Sequence, residues 1–147
     1  MVLMKEKMIY FISTRNSARS HMAEAFAREY LDEKEWEVSS AGIEKGDLNP
    51  LAREVMHEIG IDISNQRSSL MDITMMERAD FLVSLSDEAR SKFPINLTID
   101  KTKHWPFEDP EALKGTRDEK LEIFRRVRDQ IQFKMEDFAA IQKDLMG

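Results

Sequence analysis

The sequence predicts a single α/β domain with a central parallel sheet of about four strands and helices on both faces, and three observations carry that reading. Short apolar runs alternate with stretches of helical period, the connections between them are short, and 147 residues match one domain with no linker, repeat or low-complexity tract. A chain of this length buries roughly 68–70% of its unfolded surface, enough for an independent fold over residues 1–147. With 41% hydrophobic and 34% charged residues, the composition fits neither disorder nor a fibrous repeat.

Residues 7–13 (KMIYFIS) form a run rich in Ile, Tyr and Phe, the pattern of a strand buried on both faces. From Ser20 the period changes, and Met22, Ala23, Phe26, Ala27, Tyr30 and Leu31 recur at helical spacing. Residues 36–41 (WEVSSA) predict a second strand stopped by Gly42. Asn49 and Pro50 open a second helix with Leu51, Ala52, Val55, Met56 and Ile59 on its apolar stripe, and Gly60 ends it. A short helix over 73–78 precedes a third buried strand over 81–85, and Ser86, Asp87 and Glu88 are a suitable helix start. Residues 99–107 are extended. The last helix runs from about residue 117 to 145, with Leu121, Phe124, Val127, Ile131, Met135 and Phe138 on one face.

A formal charge of -6 argues against a nucleic-acid binder, which needs a lysine and arginine surplus to neutralise phosphates. No apolar run approaches the roughly 20 residues that span a bilayer, and the N-terminus lacks the apolar core of a signal peptide. A cytoplasmic protein without membrane association is the expectation. The chain has no cysteine, so disulfides, thiolate metal sites and thiol catalysis are excluded together. Three dispersed histidines give no metal-ligand spacing, and neither a metal nor another cofactor is expected.

The polar turn after the first strand is where chemistry concentrates. It sits between a buried strand and a helix N-terminus, at the carboxyl edge of a parallel sheet, where doubly wound folds bind ligands. The helix offers unpaired N–H groups and the positive end of its dipole to an oxyanion. Arg15 and Arg19 add two charges, and the planar guanidinium of Arg19 suits a bidentate grip on a tetrahedral anion. Ser13, Thr14, Ser17 and Ser20 supply hydroxyls, Ala18 is small, and Asn16 tolerates a left-handed turn.

The run FISTRNSARSHMAEA over residues 11–25 resembles the phosphate loop of the low-molecular-weight protein tyrosine phosphatase superfamily, and most closely its thioredoxin-coupled arsenate reductases. Segments SSAGIE at 39–44, LNP at 48–50, GIDIS at 60–64, His104 with Trp105, EDP at 108–110 and FRRVRD at 124–129 resemble family segments in family order, so the likeness covers nearly the whole chain. The resemblance implies the low-molecular-weight phosphatase fold and a loop that binds phosphate, arsenate or sulfate through Ser13, Thr14, Arg15, Asn16, Ser17, Ala18, Arg19 and Ser20. It implies catalytic positions at Ser13, Arg19 and Asp109: nucleophile, oxyanion clamp and general acid. Ser20 would serve activation of the nucleophile.

Departures from the family pattern decide the functional expectation. The family's nucleophilic cysteine is Ser13 here, a second cysteine of the reductases aligns with Ala18, and a third pair aligns with Ser86 and Phe93. A serine hydroxyl is far too weak an acid to ionise as a cysteine does in such a loop, and a disulfide relay cannot run without sulfur. The expectation is an arsenate reductase-like protein that binds the oxyanion and is catalytically inactive, a pseudoenzyme related to arsenic resistance. The alternatives are a non-catalytic module for phosphate or a phosphoprotein, and a phosphatase whose native nucleophilic cysteine was changed to the serine at position 13. Thioredoxin, the partner the resemblance implies, is placed in doubt because its contact chemistry uses the absent cysteine pair. Related reductases hold a potassium ion with residues matching Asn16, Ser40, Arg67 and Ser69; here the Arg67 guanidinium is expected to fill that space with its own charge.

Other residues have plainer readings. Asp109 precedes Pro110, which favours extended geometry. His21 is expected to be an exposed first-turn residue, His57 to lie on the polar side of its helix, and His104 to pack near the site beside Trp105. The ten methionines are expected as core filler, and Arg125, Arg126 and Arg128 form a basic patch diluted by Glu122 and Asp129.

Overall fold

In the computed structural model, which describes residues 5–97 and 100–146, a four-stranded sheet organises the chain. β1 (Lys7–Ser13) lies between β2 (Trp36–Gly42) and β3 (Phe81–Ser84), with β4 (Thr102–His104) beyond β3, and every pairing is parallel. The helices are α1 (Arg19–Tyr30), α2 (Pro50–Glu58), α3 (Ile73–Arg78), α4 (Asp87–Ser91) and α5 (Arg117–Met146).

Alternation along β1 divides the core. Ile9 and Phe11 face one side, with Met22 and Phe26 of α1, Val55 and Met56 of α2, and Phe124, Val127, Ile131 and Met135 of α5. Met8, Tyr10 and Ile12 face the other, with Met76 of α3 and Ala89 of α4. Both faces of the sheet are therefore covered by helices, which explains why β1 reads as a continuous apolar run.

The helix ends follow local chemistry. Asn49 Oδ1 accepts from Leu51 N at 2.8 Å ahead of Pro50, and Gly60 takes φ of 84° just past α2. Ser86 Oγ accepts from Ala89 N at 3.1 Å and caps α4. β3 ends one residue short of the reading at 81–85 and α1 starts one residue before Ser20, and two further boundaries differ for a visible reason or in extent. Gly42 belongs to β2 rather than stopping it, because its N–H and C=O pair with Ser69 O (2.8 Å) and Met71 N (2.9 Å) where the chain gains a new neighbour. The extended stretch at 99–107 is a strand only over Thr102–His104, with residues 98 and 99 outside the described residues.

The connection from β1 leads to β2 on one side, and β3 joins on the other. The strand order thus reverses at the carboxyl ends of β1 and β3, the position where open α/β sheets form ligand crevices. The polar turn 13–20 stands there, beside the start of α4.

Candidate active site

The turn is held by its carbonyls. Ser13 O accepts from Ile43 N (3.1 Å), Thr14 O from Glu44 N (2.8 Å), Arg15 O from Gly46 N (2.9 Å) and Ser17 O from Asn49 N (2.8 Å). Asn16 O accepts from Ser68 Oγ at 2.7 Å. The backbone oxygens are thus taken by segments outside the turn. The N–H groups behave differently: among the described residues, those of Thr14, Arg15, Ser17 and Ala18 donate to no protein acceptor, and Ala18, at the N-cap of α1, supplies no side-chain cap. Asn16 takes φ of 51°, the left-handed conformation that turns successive N–H groups into a concave donor array.

Asn16 also fixes the inside of the turn. Its Oδ1 accepts from Ser69 N (2.9 Å), and its Nδ2 donates to Ser20 Oγ (2.7 Å) and Ser40 Oγ (3.0 Å). Ser40 Oγ in turn donates to the buried Glu24 carboxylate at 2.6 Å, which Arg28 pairs from the next turn of α1. The hydroxyls of Ser13 and Ser20 are 2.7 Å apart, and Asn16 N donates to Ser13 Oγ at 3.1 Å. Gly42 is the floor: a Cβ there would meet Asn16 N at 2.7 Å and the Arg15 carbonyl carbon at 2.8 Å.

The two arginines differ. Arg19 is buried, its Nη1 donates to Phe107 O at 3.0 Å, and burial pulls its pKa down against the opposing pull of Asp109. Arg15 is about half exposed, with 45% of its side-chain surface accessible. Asp109 Oδ2 stands 3.9 Å from the Nη2 of both, while its Oδ1 accepts from Glu111 N at 2.9 Å. Sequence reading placed these residues at one site, and the structure brings them together.

Glu111 was missed. Its carboxylate accepts from Ser17 Oγ and from Asn49 Nδ2 (3.0 Å) and lies 3.8 Å from Arg15, tying the Asp109 segment to the turn. Its place two residues after Asp109 was the sole signal, since the partners are 62 and 94 residues away.

Three expectations need correction. His21 is completely buried, because residues 66–68 fold over the first turn of α1 and Gln66 Nε2 hydrogen-bonds its Nδ1 at 3.0 Å. Arg67 is exposed and makes no ion pair with Glu24: it lines a cavity together with Glu24, Arg28 and Ser40, and the cation that meets Glu24 is Arg28. His104 is more than packing, since its Nε2 pairs with Asp87 Oδ1 (2.9 Å) and its Nδ1 with Ser84 Oγ (2.6 Å). Ser84 in that chain is buried at 1% exposure and offers no accessible nucleophile. Among the described residues no group of three His, Cys, Asp or Glu is placed to hold a metal.

Comparison with known proteins places this geometry. The family profile described as low molecular weight phosphotyrosine protein phosphatase matches residues 8–146. An arsenate reductase of Shouchella clausii (strain KSM-K16) is 47% identical over 136 residues, covering 92% of this chain and 97% of that protein. One from Bacillus subtilis (strain 168) is 46% identical over 140 residues, covering 95% and 100%. Among solved structures, a cysteine-to-serine mutant of the YwlE arginine phosphatase with a phosphorylated active-site serine matches with a TM-score of 0.77 at 26% identity, covering 92% of this chain and 95% of that one. An arsenate reductase in the phosphate binding state matches with a TM-score of 0.71 at 33% identity, covering 91% and 97%. Cysteine-dependent catalysis is impossible in a chain with no cysteine. The chain nevertheless belongs to the low molecular weight phosphotyrosine protein phosphatase family, as a member similar to the arsenate reductases.

Proposed function

We propose that this protein binds a tetrahedral oxyanion, phosphate, arsenate or sulfate, on the turn 13–20 and performs neither arsenate reduction nor phosphate-ester hydrolysis. The observation that carries the reading is the polarity of the turn: the carbonyls of residues 13–17 are taken by segments outside it, while the N–H groups of Thr14, Arg15, Ser17 and Ala18 have no protein acceptor among the described residues. Such an array at a helix N-terminus favours an anion, and the buried Arg19 adds a full charge. A phosphoryl group carried on a protein meets the same donors, so a phosphoprotein is an equivalent ligand.

Titration calorimetry with sulfate tests this. Arg19→Ala removes a buried charged donor and is expected to cost about 2–5 kcal/mol, a loss of at least ~30-fold. Arg15→Ala removes a half-exposed charge and is expected to cost about 0.2–1 kcal/mol. Equal losses would mean that general positive charge, and not the shape of the turn, drives binding; no binding by the unaltered protein would end the proposal.

A second reading has its own support. The YwlE match concerns a phosphatase in which serine replaces the nucleophilic cysteine, and the Asp109 carboxylate here lies near both arginines. On that reading the chain is a phosphatase scaffold lacking only its sulfur.

A further inference from the structure

We infer that the Ser13 hydroxyl is a hydrogen-bond donor to the bound oxyanion, which makes the site select fully ionised, dianionic tetrahedral ligands. The inference rests on the oxyanion-binding reading and follows from counting hydrogens around three side chains. Asn16 Nδ2 has two hydrogens, directed to Ser20 Oγ and Ser40 Oγ. Its carbonyl oxygen is fixed as an acceptor by Ser69 N, so the amide cannot be turned round. Ser20 Oγ therefore accepts one bond and has one hydrogen to give. Among the described residues its remaining partner is Ser13 Oγ, and Ser20 is 0% exposed, so water does not serve instead.

If Ser13 donated to Ser20, the Ser20 hydrogen would be stranded in the interior, a costly arrangement. Ser20 is the donor, and Ser13 Oγ accepts twice, from Ser20 Oγ and from Asn16 N. Its own hydrogen then has no protein acceptor among the described residues. Ser13 is only 3% exposed and stands where the unpaired N–H groups of the turn begin. A bound oxyanion supplies the missing acceptor.

The backbone of the turn and Ser13 consequently offer the ligand donors: the N–H groups of Thr14, Arg15, Ser17 and Ala18, and the Ser13 hydroxyl. A ligand oxygen carrying a proton finds no backbone acceptor within the turn, and the nearest carboxylate, Asp109, already faces both arginines, so a dianion fits better than a monoanion. The other charged groups that face the turn are Arg15 and Arg19, Asp109 and Glu111 from the segment after β4, and Glu88 of α4. A thiolate at position 13 would accept where serine donates and would repel the ligand by its charge. Serine in place of the nucleophile is thus a gain for retention of the anion as well as a loss of chemistry.

Calorimetry across neutral pH with inorganic sulfate and phosphate as probes tests the inference, with phenyl phosphate beside phosphate separating an ester from a free ion. Sulfate affinity is expected to stay level, while phosphate and phenyl phosphate affinities rise as each loses its second proton. Ser13→Ala is expected to weaken sulfate by about 10- to 100-fold, the range of a hydrogen bond to a charged group. Ser13→Cys is expected to lose sulfate affinity as pH rises through the thiol titration. A Ser13→Ala protein that binds sulfate as tightly as the unaltered one overturns the inference while leaving the oxyanion site in place. Should that variant misfold, equal binding of phosphate mono- and dianions by the unaltered protein overturns it independently. Failure of the unaltered protein to bind sulfate at all overturns the underlying function instead.

Discussion

His21 illustrates how burial at one residue becomes a property of the whole chain. Its Nδ1 accepts from Gln66 Nε2 at 3.0 Å, and its Nε2 faces Ser68 Oγ at 3.4 Å, whose own hydrogen is given to Asn16 O. The neutral ring with hydrogen on Nε2 satisfies all of these; a second proton on Nδ1 would confront the Gln66 donor. Burial holds the His21 pKa below its ordinary value, against the opposing pull of Glu24. An unfolded histidine titrates near about 6.5, so below that pH the unfolded chain takes up a proton that the folded chain refuses. Stability contributed by His21 is therefore complete above that pH and falls as pH drops toward the folded value. Urea midpoints measured through this range are expected to decline, and His21→Gln to reduce that dependence; an unchanged slope in the variant would assign it to other groups. The burial was not legible in the sequence, because helical period places His21 in the first turn of α1 but the covering residues lie 45 to 47 positions away.

At the scale of elements, the turn 13–20 is built as much by segments 42–49 and 68–69 as by itself. Gly42 makes this testable, since a Cβ would meet three backbone atoms at 2.5 to 2.8 Å, none of which belongs to a flexible side chain. Gly42→Ala is expected to cost about 1–3 kcal/mol by overpacking and to reduce sulfate binding together with stability, read by thermal melts and calorimetry. Stability lost with binding retained would show that the turn's shape does not depend on this floor. The strands, helices and caps were legible because their signals are local: apolar runs, helical spacing, Asn49 before Pro50, Ser86 before Asp87. The loop was legible as a chemical string, and with it the meeting of Arg19 and Asp109. The clamps that shape it were not, because Gly42, Ser68 and Glu111 act on backbone and side chains far along the chain, and nothing in their own neighbourhoods announces it.

At the scale of the molecule, charge and sulfur separate what the protein keeps from what it has lost. The basic patch of α5 is neutralised where it stands, Arg125 and Arg128 by Glu58 and Arg126 by Glu108, so that patch carries little free positive charge. No helix among the described residues is long and apolar enough to cross a membrane. The two positions where the resemblance implies a redox pair are occupied otherwise: Ser86 caps α4 and accepts from Thr14 Oγ1 at 3.0 Å, and Phe93 packs with the core on the α3 and α4 face. Restoring sulfur at one position is therefore expected to restore one chemistry and not the other. Ser13→Cys is expected to hydrolyse a small aryl phosphate, because the α1 N-terminus, the turn N–H groups and Arg19 favour a thiolate there. Asp109→Asn in that background is expected to slow hydrolysis by about 10²- to 10⁴-fold, the loss of a general acid for the leaving group. Arsenate turnover with thioredoxin is expected to stay undetectable in Ser13→Cys, since Ala18, Ser86 and Phe93 supply no second sulfur for a relay disulfide. Thioredoxin-dependent turnover in that single variant would refute the account, and absence of any hydrolysis would mean that the site has diverged beyond repair at one residue.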